Sequence, residues 1–302
     1  MLKIRKTALY KGVIVFTIGL LLLISSAFGY KNACRPFKDY TTVSSVFCMS
    51  SQLLCPSITY STIQLYPSVN PLKEDKLVFY LDRFSYTATA EESRNTGKIQ
   101  WKWGAPRLSE YDNRLNMDSL ITTQAVFMQE GASGGEPLDM AGEDYYMVWY
   151  RFERPMTAIE FSDAYAFLIE DTVSRPNRCG VVWIPVRTSD NAEDICLGMA
   201  GNYSWHYMNT VYSASRYDQD AYEREISFVQ SLQYLSDQQP LATLLLDSGP
   251  FEMEEAVDFG KRLDYVNTNG VLCLGMCVYI PGTVARELAD EDGVALVRYF
   301  PA

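Results

Sequence analysis

The run Gly12–Tyr30, GVIVFTIGLLLLISSAFGY, constrains this chain more than any other stretch. It holds no charged residue and is dense in Val, Ile, Leu and Phe. At the helical rise its 19 residues reach about 28 Å, close to the hydrocarbon thickness of a bilayer. The reading is a single transmembrane helix over Gly12–Tyr30, since no other window approaches that length. The tail before it, MLKIRKTALYK, carries Lys3, Arg5, Lys6 and Lys11 and no acid. Basic residues stay cytoplasmic, so the N-terminus is expected inside and the body outside, although Lys31, Arg35 and Lys38 follow on the far side. A cleaved signal peptide is the rival reading, because Ala27-Phe28-Gly29 offers small residues at signal-peptidase spacing. The length of the run favours an anchor, and its place behind a basic tail argues against a buried core helix. Either way the body leaves the cytoplasm.

That body is large enough for one big domain or two modest ones. Hydrophobic residues make up 48% of the chain, which supports a packed core and excludes wholesale disorder. The formal net charge is -11, and setting aside the four cations of the tail leaves -15 on residues 12–302. So acidic a body should repel phosphate backbones, which argues against nucleic acid as a partner and against adhesion to an anionic bilayer surface. Basic peptides or cations would suit it, but a solvated acidic surface is the plainer reading. The seven cysteines are an odd number, too sparse for a disulfide scaffold. In an extended strand Cys273 and Cys277 fall on one face about 13 Å apart, too far to bridge, and read as small core residues. Cys179 and Cys196 either pair or are buried singly.

Residues 31–56 give no clear periodicity. Strands are expected over Ser57–Ser68, Leu77–Ala88, Lys98–Trp103 and Leu120–Gln129, where β-branched and aromatic residues alternate with polar ones. Gly131–Pro137 (GASGGEP) is a turn-rich break, with no lysine and no helix behind it to make a phosphate loop. An aromatic strand follows over Tyr145–Glu153. Thr157 with Glu160 spells a capping box opening a helix to about Asp171. Cys179–Arg187 is a buried strand, Thr188–Ser215 a polar, tyrosine-rich excursion, and Tyr217–Tyr234 a helix. Pro250–Asn267 is expected as a helix with Glu252, Glu254 and Glu255 in its first turn, stopped at Asn269-Gly270. Val271–Ile280 is an apolar strand, a short helix runs from Pro281 to about Asp290, and Gly293–Phe300 is the last strand. This order predicts an α+β fold with helices packed on one sheet face. The expected organisation is a tail 1–11, a transmembrane helix 12–30, a juxtamembrane and β-rich portion 31–130, and a C-terminal α+β domain 140–302.

Tyr145 to Phe300 carries three features in order: YYMVWYRFERPMTAIEF; VVWIPVRT followed by a loop with Gly198 and Gly201; and FVQSLQYL before YVNTNGVLCLGMCVYIPGTVAREL. With the N-terminal anchor, this half of the chain resembles the C-terminal domain of sigma factor regulators, membrane-bound anti-sigma proteins of Gram-positive bacteria. The resemblance implies an extracytoplasmic regulator whose partners are the membrane and a sigma factor or another membrane regulator. It supplies no catalytic residues. Such regulators normally hold the sigma factor with a cytoplasmic portion, and here the tail is eleven residues. A tail that short offers far less surface than a standard interface.

Chemistry is sparse. The one histidine, His206, lies among aromatics in NYSWHYMN, with no Gly-x-Ser-x-Gly elbow in the chain. One histidine and no Cys-x-x-Cys exclude the usual zinc sites. The acids at Asp190–Asp194, Asp218–Asp220 and Asp290–Asp292 do not match a calcium loop and read as solvated turns. No catalytic residue, metal ligand or cofactor is expected. The candidate binding surface is aromatic: Trp101, Trp103, Trp205, Tyr207 and Tyr212 lie in or beside polar segments, where they either meet a partner or fill core. The expected function is regulation or sensing by protein or ligand binding. The alternative is a secreted or surface-anchored hydrolase or a structural envelope protein.

Overall fold

The computed structural model of the protein describes residues 12–23, 25–26, 40–54, 58–66, 76–83, 94–102, 105–111, 142, 144–168, 180–191, 194–200, 221–247 and 257–301. The N-terminal run is helical over 12–23 and at 25–26. Its large side chains, from Val13 and Phe16 to Leu22 and Leu23, are exposed. Among the described residues no helix is long and apolar enough to cross a membrane.

The first element of the body is helix α1 (Tyr40–Leu54), which lacks any charged residue. Every residue from Val43 to Ser51 is buried, so the helix is enclosed on all sides. Its serines tolerate this because their hydroxyls are satisfied within the helix. Ser50 donates to the Val46 carbonyl at 2.7 Å, Ser51 to Phe47 at 2.7 Å and Ser44 to Thr41 at 2.9 Å. Four strands follow as an antiparallel meander: β1 (Ile58–Tyr66), β2 (Lys76–Arg83), β3 (Arg94–Lys102) and β4 (Ala105–Tyr111). Leu65, Leu77, Ile99 and Leu108 stand in register across it, and Ile99 is fully buried.

The second sheet decides the architecture. In β5 (Tyr145–Thr157) alternation sends Tyr146, Val148, Tyr150 and Phe152 to one face and Tyr145, Met147 and Trp149 to the other. With β6 (Gly180–Val186), β7 (Leu197–Ala200), β8 (Leu272–Pro281) and β9 (Val294–Pro301) it forms an antiparallel sheet in the order β7-β6-β8-β5-β9. Five helices bring their buried residues to the first face: α2 (Ala158–Ala164), α3 (Ala221–Asp237), α4 (Gln239–Asp247), α5 (Phe259–Asn269) and α6 (Gly282–Ala289). Phe161, Leu232, Leu245, Phe259 and Ala285 represent them in the core. Val46, Phe47 and Leu54 of α1 and Ile99 of β3 join that same core. The fold is therefore mixed α+β, with helices on one face of an antiparallel sheet.

Several local readings hold at the level of hydrogen bonds. Thr157 caps α2: its Oγ1 accepts from the Glu160 amide at 3.2 Å, while Glu160 accepts from the Thr157 amide at 2.8 Å. The Thr157 amide and then the Thr157 hydroxyl, which donates to the same carboxylate oxygen at 3.1 Å, hold the Glu160 carboxyl below its ordinary range. Helix α5 ends at Gly270, whose φ of +79° is the left-handed conformation that glycine adopts without strain.

Other readings need correction. The helix expected over Pro250–Asn267 starts only at Phe259, since Val257 and Asp258 are not helical. Asp258 is its cap, accepting from the Lys261 amide at 3.0 Å, and no acid sits in the first turn. α2 breaks at Tyr165, whose amide donates to the Phe161 carbonyl, helical residues resume at 166–168, and 169–171 lie outside the described residues. α1, β4, β7 and α4 were not legible as elements. Cys273 and Cys277 lie on opposite faces, because Trp183 to Val186 on β6 spans three steps while Cys277 to Cys273 on β8 spans four. The extra residue flips the alternation, as a bulge does. The strand expected over Leu120–Gln129 and the break at Gly131–Pro137 lie outside the described residues.

Candidate functional site

A dense polar arrangement lies where the β6–β7 connection meets α5. Helix α5 buries Phe259, Leu263 and Val266, spaced i, i+4, i+7. Arg262 falls inside that stripe and is buried with them. A guanidinium there requires an anion, and Asp194 supplies it, with Nη1 2.8 Å from Oδ2. The contact is an ion pair whose N–H points off line, so Nη1 gains no aligned hydrogen bond. Burial pulls the Arg262 pKa down and the Asp194 carboxylate opposes that pull. Asp194 is itself held by Asn191, whose Nδ2 donates to Oδ1 at 3.1 Å.

A second set lies beside it, nearer to solvent. The Tyr265 hydroxyl donates to Asp190 Oδ1 at 2.8 Å, and Arg187 Nη2 donates to the same oxygen at 3.1 Å. Partial burial, and then its hydrogen bond to Asp190, raise the Tyr265 pKa. The Arg187 amide donates to the Leu272 carbonyl at 2.8 Å, which ties the loop to β8. Asp190 and Asp194 are thus not merely solvated turn residues: each holds a group on α5. Chemically the corner fixes the loop on the helix. Its charges are engaged with one another.

The second face of the five-stranded sheet is aromatic. Trp149 and Trp183 are fully buried with ring centroids 5.9 Å apart, and Tyr145 stacks on Tyr279 at 5.2 Å. Val182, Cys196, Leu274 and Cys277 fill the same layer. Gly198 on β7 lets the Trp183 ring lie against the backbone, since a Cβ there would stand 2.2 Å from Cε2. Trp183 Nε1 is buried without a hydrogen-bond partner among the described residues. The four described cysteines are free and buried. Burial pushes the Cys196 and Cys273 thiols up to about 12 and raises those of Cys48 and Cys277 well above the ordinary thiol range, which suppresses thiolate chemistry. Cys196 is therefore buried singly.

Of the five candidate aromatics, Trp101 lies in β3, paired in register with Pro106 of β4. Trp103, Trp205, Tyr207 and Tyr212 lie outside the described residues, as does His206. The residues that the sequence reading missed are Arg262 and its partner Asp194. A signal was present: an arginine between Phe259 and Leu263, on the stripe that also holds Val266, calls for a buried anion. Among the described residues no group of three His, Cys, Asp or Glu side chains could hold a metal ion.

Together these observations define a class, an antiparallel-sheet α+β body behind an exposed apolar N-terminal helix. No protein-family model matches the chain, and no curated protein or solved structure gives a significant match.

Proposed function

We propose that this chain is a membrane-anchored extracytoplasmic regulatory or sensor protein that works by binding and not by turnover. Gly12–Tyr30 is its single span, with the N-terminus in the cytoplasm. The observation that carries the reading is the exposure of the N-terminal helix. Val13, Ile14, Val15, Phe16, Ile18, Leu20, Leu21, Leu22 and Leu23 all present large apolar surfaces that the body does not cover. Burying such a side chain is worth about 1.5–3 kcal/mol. Leaving nine of them half exposed to water forgoes on the order of 10 kcal/mol, as much as the whole stability of a typical domain. A bilayer removes that cost. The polar groups of the run also suit hydrocarbon: Thr17 Oγ1 donates to the Val13 carbonyl at 2.8 Å and Ser26 Oγ to Leu23 at 2.9 Å.

Within this reading, the resemblance of Tyr145 to Phe300 to sigma factor regulators makes a sigma factor or another membrane regulator the partner to look for. The test uses intact protoplasts making the full chain. Added protease should remove the body while leaving a membrane-bound N-terminal fragment. Full protection of the body on intact cells, with digestion only after lysis, overturns the proposal. Crosslinking from the same membranes then asks which regulator is recovered. Recovery of none from a correctly oriented protein would remove the regulatory part and leave the anchor.

A further inference from the structure

We draw no further inference here: the strongest candidate, the aromatic second face of the five-stranded sheet around Trp149 and Trp183, carries nothing because no described residue shows what covers it.

Discussion

Gly198 and Arg262 show how much single positions carry in this body, one through space and one through charge. At Gly198 an added methyl would stand 2.2 Å from Trp183 Cε2 and 2.7 Å from the Ile184 carbonyl. Neither can give way easily, since Trp183 is fully buried and the other atom is backbone. Gly198→Ala should therefore destabilise by about 2–3 kcal/mol, in the range of core overpacking. Urea titration should show a lower midpoint with an unchanged slope. A variant with the parental midpoint would mean that the Trp183 ring does not lie there. Arg262 makes the opposite case. Removing its anion by Asp194→Ala leaves a buried cation, which costs about 3 kcal/mol. Replacing both partners, with Arg262→Met and Asp194→Leu, should recover most of that loss because the charge goes with its partner. If the double variant is as unstable as the sum of the two single ones, the pair is not coupled. Sequence alone revealed these residues unequally. The Thr157–Glu160 box is local, so its chemistry was legible. The faces of Cys273 and Cys277 were not, because a bulge is set by the pairing of β6 with β8 and leaves no mark on the strand's own composition.

Elements follow the same divide between local and long-range causes. β5, β6, β8, β9, α3 and α6 carry their own periodicity and were read within a few residues. Helix α1 was missed because VSSVFCMSS has no polar face: its serines turn their hydroxyls onto their own backbone, so burial extends all round. β7 has four residues, too few for a pattern. For α5 the acids at 252–255 look like a first turn, whereas the real cap is Asp258. That cap makes a pH prediction. The Lys261 amide holds the Asp258 carboxyl below its ordinary value; burial opposes it, and the lysine charge adds a lesser pull downward. A depressed carboxylate pKa adds stability above the unfolded pKa of about 3.9, and that contribution is lost as pH falls through the folded value. Asp258→Ala should cost about 1 kcal/mol at pH 7, as loss of an N-cap does. The difference from the parent should shrink as the pH drops below 4. A difference constant from pH 7 to pH 2 would show that the carboxylate plays no part in the cap.

At the scale of the whole molecule, the turn-rich stretch at 131–137 invites a division that the packing does not follow. α1 belongs to the portion before that stretch, yet Val43, Val46, Phe47, Met49, Leu53 and Leu54 are buried in the same core as β5, β8 and the helices after it. Gln239 adds to the cohesion on the other side, bonding both the Val257 carbonyl and the Phe259 amide and so joining the starts of α4 and α5. Deleting α1 would uncover the surfaces that those six side chains occupy, at about 1.5–3 kcal/mol each. The total is on the order of 10 kcal/mol, against a stability of about 5–15 kcal/mol for an ordinary domain. A fragment of residues 140–302 should therefore fail to fold, with a collapsed state that binds hydrophobic dye and lacks near-ultraviolet dichroism. A fragment of residues 36–302, which keeps α1 and drops the exposed helix, should unfold in one cooperative step. A sharp transition and dispersed amide spectrum from 140–302 alone would mean that α1 is an accessory to the core and not part of it.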